Sequence, residues 1–155
     1  MNRWKACRLA VVVVSHGSIA LAEKIPSPEA LEQLGARPVT LSVIEPHQST
    51  PEHPVAIDYL AFPAPVVISA ALGSGWEAKT KTIEFRALDG YVSRIDVTRL
   101  ANGKAYMAFA RADRSPFTVN NLAQNKKNVP LGPYYLIWDN KADPELLLEG
   151  ASAGV

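Results

Sequence analysis

The chain has 155 residues, with 16 basic against 15 acidic side chains and a formal charge of +1. That balance lacks the electrostatic footprint that nucleic acid requires. The only cysteine is Cys7, which excludes an internal disulfide, a cysteine-ligated zinc or iron–sulfur centre and a C-x-x-C-H haem attachment.

Arg3, Lys5 and Arg8 form a positive n-region, and Leu9 to Val14 open an apolar stretch that runs, interrupted by His16 and Gly17, through Ile19 to Leu21. Ala20-Leu21-Ala22 is an A-x-A cleavage site. The pattern predicts a secretory signal peptide over residues 1–22, with Glu23 opening a single domain over 23–155 that is periplasmic or secreted. The apolar stretch is short against the roughly 20 residues of a membrane helix. No later segment is apolar enough, so no span is expected after cleavage. Processing removes three basic residues and no acidic one, leaving 13 against 15 and a formal charge of −2. It also removes Cys7, so the mature chain has no thiol.

Beyond the leader, Ser27-Pro28-Glu29 predicts a capped helix that Gly35 closes in a left-handed conformation. Val39 to Ile44 reads as a strand, Glu45 to Pro54 as a polar, proline-punctuated loop, and Val55 to Tyr59 as a strand with Val55, Ile57 and Tyr59 on one face. Pro63 and Pro65 introduce a helix over 66–72, closed by Gly73. From Thr80 to Val97 the alternation predicts a hairpin with a three-residue Leu88-Asp89-Gly90 loop, Gly90 being left-handed. That register sets Ile83 opposite Ile95, Ala87 opposite Tyr91 and Glu84 opposite Arg94. Asn102-Gly103 marks a turn, Lys104 to Arg111 a strand with Ala105, Met107 and Phe109 on one face, and the stretch through Asn128 a polar connection. Tyr134 to Trp138 is apolar enough to predict a central strand. Asp143-Pro144-Glu145 introduces a short tail, and 151–155 are featureless. The sum is a β-rich α+β domain with a few short helices.

Four groups of residues bear on chemistry. Glu45, His47, Glu52 and His53 are the densest set of metal-ligand types, but six residues separate the histidines within a proline-rich loop, and the simpler reading is a solvated loop. Gly73-Ser74-Gly75 follows a helix instead of opening one, so it reads as a helix stop with Trp76 packed behind it and not as a phosphate cradle. Arg86, Arg94, Arg99, Arg111 and Arg114 could converge on an oxyanion; the simpler reading is an exposed sheet face balanced by Glu84 and Asp96. In the run Tyr134, Tyr135 and Trp138, alternation puts Tyr135 on the face opposite the other two, a pattern of core packing.

The order of these pieces is distinctive. Val43-Ile44-Glu45-Pro46-His47 is followed by a Y-x-A-F-P strand at Tyr59–Pro63, an F-x-A-L-D-G-Y hairpin at Phe85–Tyr91, a strand over 105–112 and Pro130-Leu131-Gly132-Pro133-Tyr134-Tyr135-Leu136-Ile137-Trp138. From Pro38 to Asp139 this succession resembles the molybdopterin-binding domain of sulfite-oxidase-type molybdenum oxidoreductases, above all its short exported relatives. The resemblance implies that family's β-rich fold and, as a possible cofactor, molybdopterin. The family holds its metal with a cysteine thiolate, and no residue after Cys7 can supply one. The expectation is therefore a domain with neither cofactor nor metal and no catalytic residue. It would serve as an accessory or docking module in a periplasmic electron-transfer system, meeting a c-type cytochrome or a molybdenum oxidoreductase through Asp89, Gly90 and Tyr91 at the hairpin tip together with Arg86 and Arg94. The alternatives are a molybdopterin-dependent oxidoreductase acting on a small oxyanion and a periplasmic metal-binding protein using His47, His53 and Glu52.

Overall fold

The structure, a computed structural model, describes residues 10–14, 22–87 and 90–147. In chain order the elements are β1 (Ala10–Val14), β2 (Ala22–Lys24), α1 (Pro28–Gln33), β3 (Val39–Ile44), β4 (Ala56–Pro63), α2 (Ala64–Leu72) and α3 (Trp76–Lys79). They continue with β5 (Thr82–Arg86), β6 (Val92–Asp96), α4 (Val97–Ala101), β7 (Ala105–Arg111), β8 (Thr118–Asn121), β9 (Lys126–Pro130) and β10 (Tyr135–Trp138). The architecture is α+β, mostly strands with short helices. There are two antiparallel four-stranded sheets, ordered β2-β1-β5-β6 and β10-β7-β4-β3, and a separate two-stranded β8–β9 hairpin.

Local chemistry accounts for most boundaries. The Ser27 hydroxyl accepts from the Ala30 N–H at 3.2 Å and Pro28 occupies the first turn of α1. At its other end Gly35, with φ +92°, lets the Gly35 and Ala36 N–H groups donate back to the Glu32 and Leu31 carbonyls, the double bond of a Schellman stop. Gly73 ends α2 and Gly75 starts α3, with Trp76 buried behind them. The β5–β6 hairpin has the expected register: Ile83 faces Ile95, Glu84 faces Arg94, and the Ala87 N–H donates to the Tyr91 carbonyl. Gly90 has φ +91°; Leu88 and Asp89 of the tip lie outside the described residues, as do residues 151–155.

Three expectations are corrected. The polar stretch before Asn128 is not a plain connection; it contains β8 and most of β9, paired from Thr118–Pro130 to Asn121–Lys126. Val97 does not continue β6 but opens α4. The Tyr135–Trp138 strand is an edge strand and not a central one, because among the described residues β7 is its single neighbour in the sheet. It is apolar at every position because both of its faces are covered.

Two cores account for that covering. One lies between the two sheets, where Phe62, Met107, Tyr134 and Trp138 meet Ile83, Phe85 and Ile95, with Val67, Ile68, Trp76 and Leu100 of the helices. The other lies on the opposite face of the β10-β7-β4-β3 sheet, where Val43, Ile57, Tyr59, Ala61, Ala108 and Ile137 meet Val119 and Leu131 around the β8–β9 hairpin. Strand β7 supplies both, Ala105 and Met107 to the first and Ala108 to the second. Its pairing with β4 is broken by a bulge: Ala61 faces Ala108 but Leu60 faces Ala110, so Phe109 is the extra residue. Phe109 stacks on Phe62, ring centroids 5.1 Å apart.

Ala10–Val14, the apolar heart of the expected leader, pairs along its whole length with β5, from Ala10 opposite Arg86 to Val14 opposite Thr82. Ala22 of the expected cleavage site begins β2, and Ala20 and Leu21 lie outside the described residues.

Candidate functional site

Glu84 organises the hairpin surface. It points away from the face carrying Ile83 and Phe85, and its carboxylate is only 1% exposed. Arg86, two residues along β5, donates Nε–H to its Oε1 at 2.6 Å, and Arg94, directly across on β6, donates Nε–H to Oε2 at 2.8 Å. The two arginine side chains remain 53% and 68% exposed. Glu84 thus sits under two arginine chains, not in apolar core. Its burial would raise the carboxyl's pKa, but the hydrogen bonds and charges of Arg94 and Arg86 together outweigh that and hold it below the ordinary 4.5. Two flexible cations are thereby fixed on the face that Val92, 36% exposed, shares with them, while Tyr91, 41% exposed, stands opposite Ala87 in the phase of the other face. Of the surface expected from sequence, the structure brings Arg86 and Arg94 together on Glu84 and shows Gly90 and Tyr91 exposed at the end of the same hairpin; Asp89 lies outside the described residues.

The remaining arginines do not join that pair. Arg99 lies over the Trp138 ring, 5.0 Å from its centroid, and Arg114 sits at φ +62° in a turn. Arg111 reaches a different place, a buried polar cluster around Glu45.

That cluster corrects the solvated-loop reading of Glu45, which is wholly buried. The end of β3 is fixed by Asn140, whose side chain bonds both the Ile44 N–H and the Ile44 carbonyl at 2.9 and 2.8 Å. The next residue, Glu45, projects into the second core. There Oε2 accepts from the Tyr59 hydroxyl at 2.8 Å, while Oε1 accepts from the Tyr135 hydroxyl and the His47 N–H, each at 3.1 Å. The Tyr59 ring meets Tyr135 and Phe117 edge-on. Burial first, then the Glu45 charge, drives both phenols far above the ordinary 10.0, so they stay neutral donors. Arg111 is opposite Tyr59 and its charge opposes part of that shift. Its Nε is buried without a hydrogen-bond partner among the described residues. As chemistry, the arrangement is a carboxylate with three donors on it, a satisfied lock on the loop after β3.

The histidines are separate. His47 leans on the Tyr135 ring at 6.3 Å between centroids, whereas Glu52 and His53 are exposed. His53 belongs to a tight turn in which it and Thr50 exchange backbone hydrogen bonds of 3.1 and 3.2 Å. Among the described residues no group of three or more His, Cys, Asp or Glu side chains is gathered for a metal. No helix among them is long and apolar enough to cross a membrane.

No family model, curated protein or solved structure matches the chain.

The molybdopterin expectation can be tested on donor chemistry. The thiolate that such a centre takes from the protein has no counterpart after Cys7, and the cluster's oxygens are hard donors already bonded to one another. These residues do not fit the group.

The hairpin pair was legible in the alternation. The Glu45 cluster was missed, although one signal pointed to it: a carboxylate at the end of an apolar strand, with Tyr59 and Tyr135 each assigned to a strand face, needs buried partners.

Proposed function

We propose that this chain is an exported, non-catalytic docking module of a periplasmic redox system, related to the molybdopterin domain it resembles but without the cofactor. Its partner is a c-type cytochrome or a molybdenum oxidoreductase. The observation that carries this reading is the hairpin surface, where Arg86 and Arg94 are held by Glu84 on the face of exposed Val92, at the end of the hairpin that also exposes Tyr91. Tyrosine and arginine dominate interface hot spots, and cations ordered in advance lose less entropy when a partner's carboxylate meets them. Each guanidinium commits its Nε–H to Glu84, one of five donors.

The test is binding of the processed protein to candidate cytochromes and molybdenum enzymes from the same periplasm. Tyr91→Ala and Arg94→Ala should each weaken a true complex by at least about tenfold, or about 1.4 kcal/mol; unchanged affinity in both removes this surface from the proposal. Stoichiometric molybdenum and pterin in protein purified from the periplasm would instead establish the oxyanion oxidoreductase. Tight copper or zinc binding lost in His47→Ala/His53→Ala would establish the metal-binding protein.

A further inference from the structure

β1 is both the apolar part of the expected leader and an inner strand of the β2-β1-β5-β6 sheet. It cannot be both in the same molecule after processing. Export with cleavage at Ala22 takes away the strand that covers one side of β5 from Thr82 to Arg86. The backbone N–H and C=O groups there are then an open edge, and an open edge is a template for another strand. We infer that in the processed protein β5 pairs antiparallel with β5 of a second copy, replacing β1 and joining two chains into one continuous sheet. The inference rests on the export reading proposed for this chain.

The residues of β5 select the occupant and the register. Ile83 and Phe85 face the core while Glu84 faces outward, so only registers that keep these faces matched survive. A two-fold axis at Glu84 would oppose two carboxylates, which destabilises. An axis at Ile83 would set Lys81 against the buried Phe85. An axis at Phe85 sets Glu84 opposite Arg86 of the second copy, and Arg86 opposite its Glu84. It also sets Ile83 opposite Ala87, keeping small and apolar side chains on the core face. This register is self-complementary in charge, as an isologous interface demands, and engages five residues, as many as β1 covers.

The experiment uses the protein purified from the periplasm, with intact mass reporting where it begins. A chain that retains Ala10–Val14 defeats the export reading, whereas the behaviour of a chain beginning at Glu23 decides the pairing of β5. For the chain beginning at Glu23, light scattering after gel filtration should give a dimer, with amide exchange across Ile83–Ala87 slowed in the dimer and fast on dilution. The full chain made without export should be a monomer, because β1 occupies the edge. Arg86→Glu should abolish the dimer by opposing carboxylates across the axis; the full reversal Glu84→Arg/Arg86→Glu/Arg94→Glu should restore it, with circular dichroism showing that each variant is folded. Three results overturn the inference: a folded, monomeric processed chain whose β5 amides exchange freely; a monomer that instead takes up a peptide of the Ala10–Val14 sequence one to one, which assigns the edge to a foreign strand; or a processed chain that does not fold.

Discussion

Replacing Glu45 by alanine should be among the most destabilising single substitutions in the second core. The carboxylate is wholly buried and accepts three hydrogen bonds, from Tyr59, Tyr135 and the His47 N–H. Each buried donor left without an acceptor costs about 1–3 kcal/mol, and the half-buried His47 amide belongs at the low end. The expected loss is therefore about 3–7 kcal/mol, a large share of the 5–15 kcal/mol, roughly, that holds a domain together. With a urea dependence of about 2 kcal/mol per molar, the midpoint should fall by about 2 M. Equilibrium urea unfolding followed through Trp76 and Trp138, both buried, measures it directly. Glu45→Gln keeps an acceptor and should lose about 1–2 kcal/mol. The decisive comparison is Glu45→Leu/Tyr59→Phe/Tyr135→Phe, which removes donors and acceptor together. It should be less destabilised than Glu45→Ala, because no phenol is left orphaned. An alanine variant within about 0.5 kcal/mol of the parent, the range of ordinary surface changes, would refute the account of this cluster as a lock.

Other expectations come from the same geometry. Glu84 has its pKa lowered in the fold, so its contribution is complete above the unfolded value near 4.5 and is lost as pH falls through the lower folded value. Stability against pH should therefore drop on the acid side, and Glu84→Gln should flatten that limb. Tyr59, Tyr134 and Tyr135 have pKa values raised above 10.0, in each case first by burial. Unfolded chains ionise first, so their contribution is full below pH 10 and declines above it. Absorbance near 295 nm should show these three phenolates appearing only with the cooperative unfolding transition. Gly90→Val should cost about 1–2 kcal/mol through backbone strain at φ +91° alone, since a Cβ there meets no atom within 4 Å; an unchanged melting midpoint would show that the hairpin tip relaxes.

What the sequence made legible is what local periodicity controls. The β5–β6 register followed from a two-residue alternation and a glycine that can turn left-handed, and α1 followed from a cap, a proline and a stop. The β8–β9 hairpin was illegible because Thr118–Asn121 and Lys126–Pro130 are short and polar, with Val119 and Val129 the few apolar side chains they bring to the core. Tyr135–Trp138 looked central because burial on both faces leaves the same apolar signature whether a second strand or a layer of side chains supplies it. Arg111 escaped for a sharper reason. Simple alternation along β7 puts it on the face of Ala105 and Met107, yet it stands opposite Tyr59 on the other face. Nothing in a two-residue pattern announces a bulge.

That bulge carries a consequence of its own. The bulge absorbs Phe109 as one extra backbone unit, so that Arg111 comes out of β7 in phase with Tyr59. Were β7 to keep Phe109 but pair regularly through it, the phase of everything after would reverse. A permanent positive charge would then be carried through the sheet and stranded among Phe62 and Met107, whereas deleting Phe109 would leave the cation where it is.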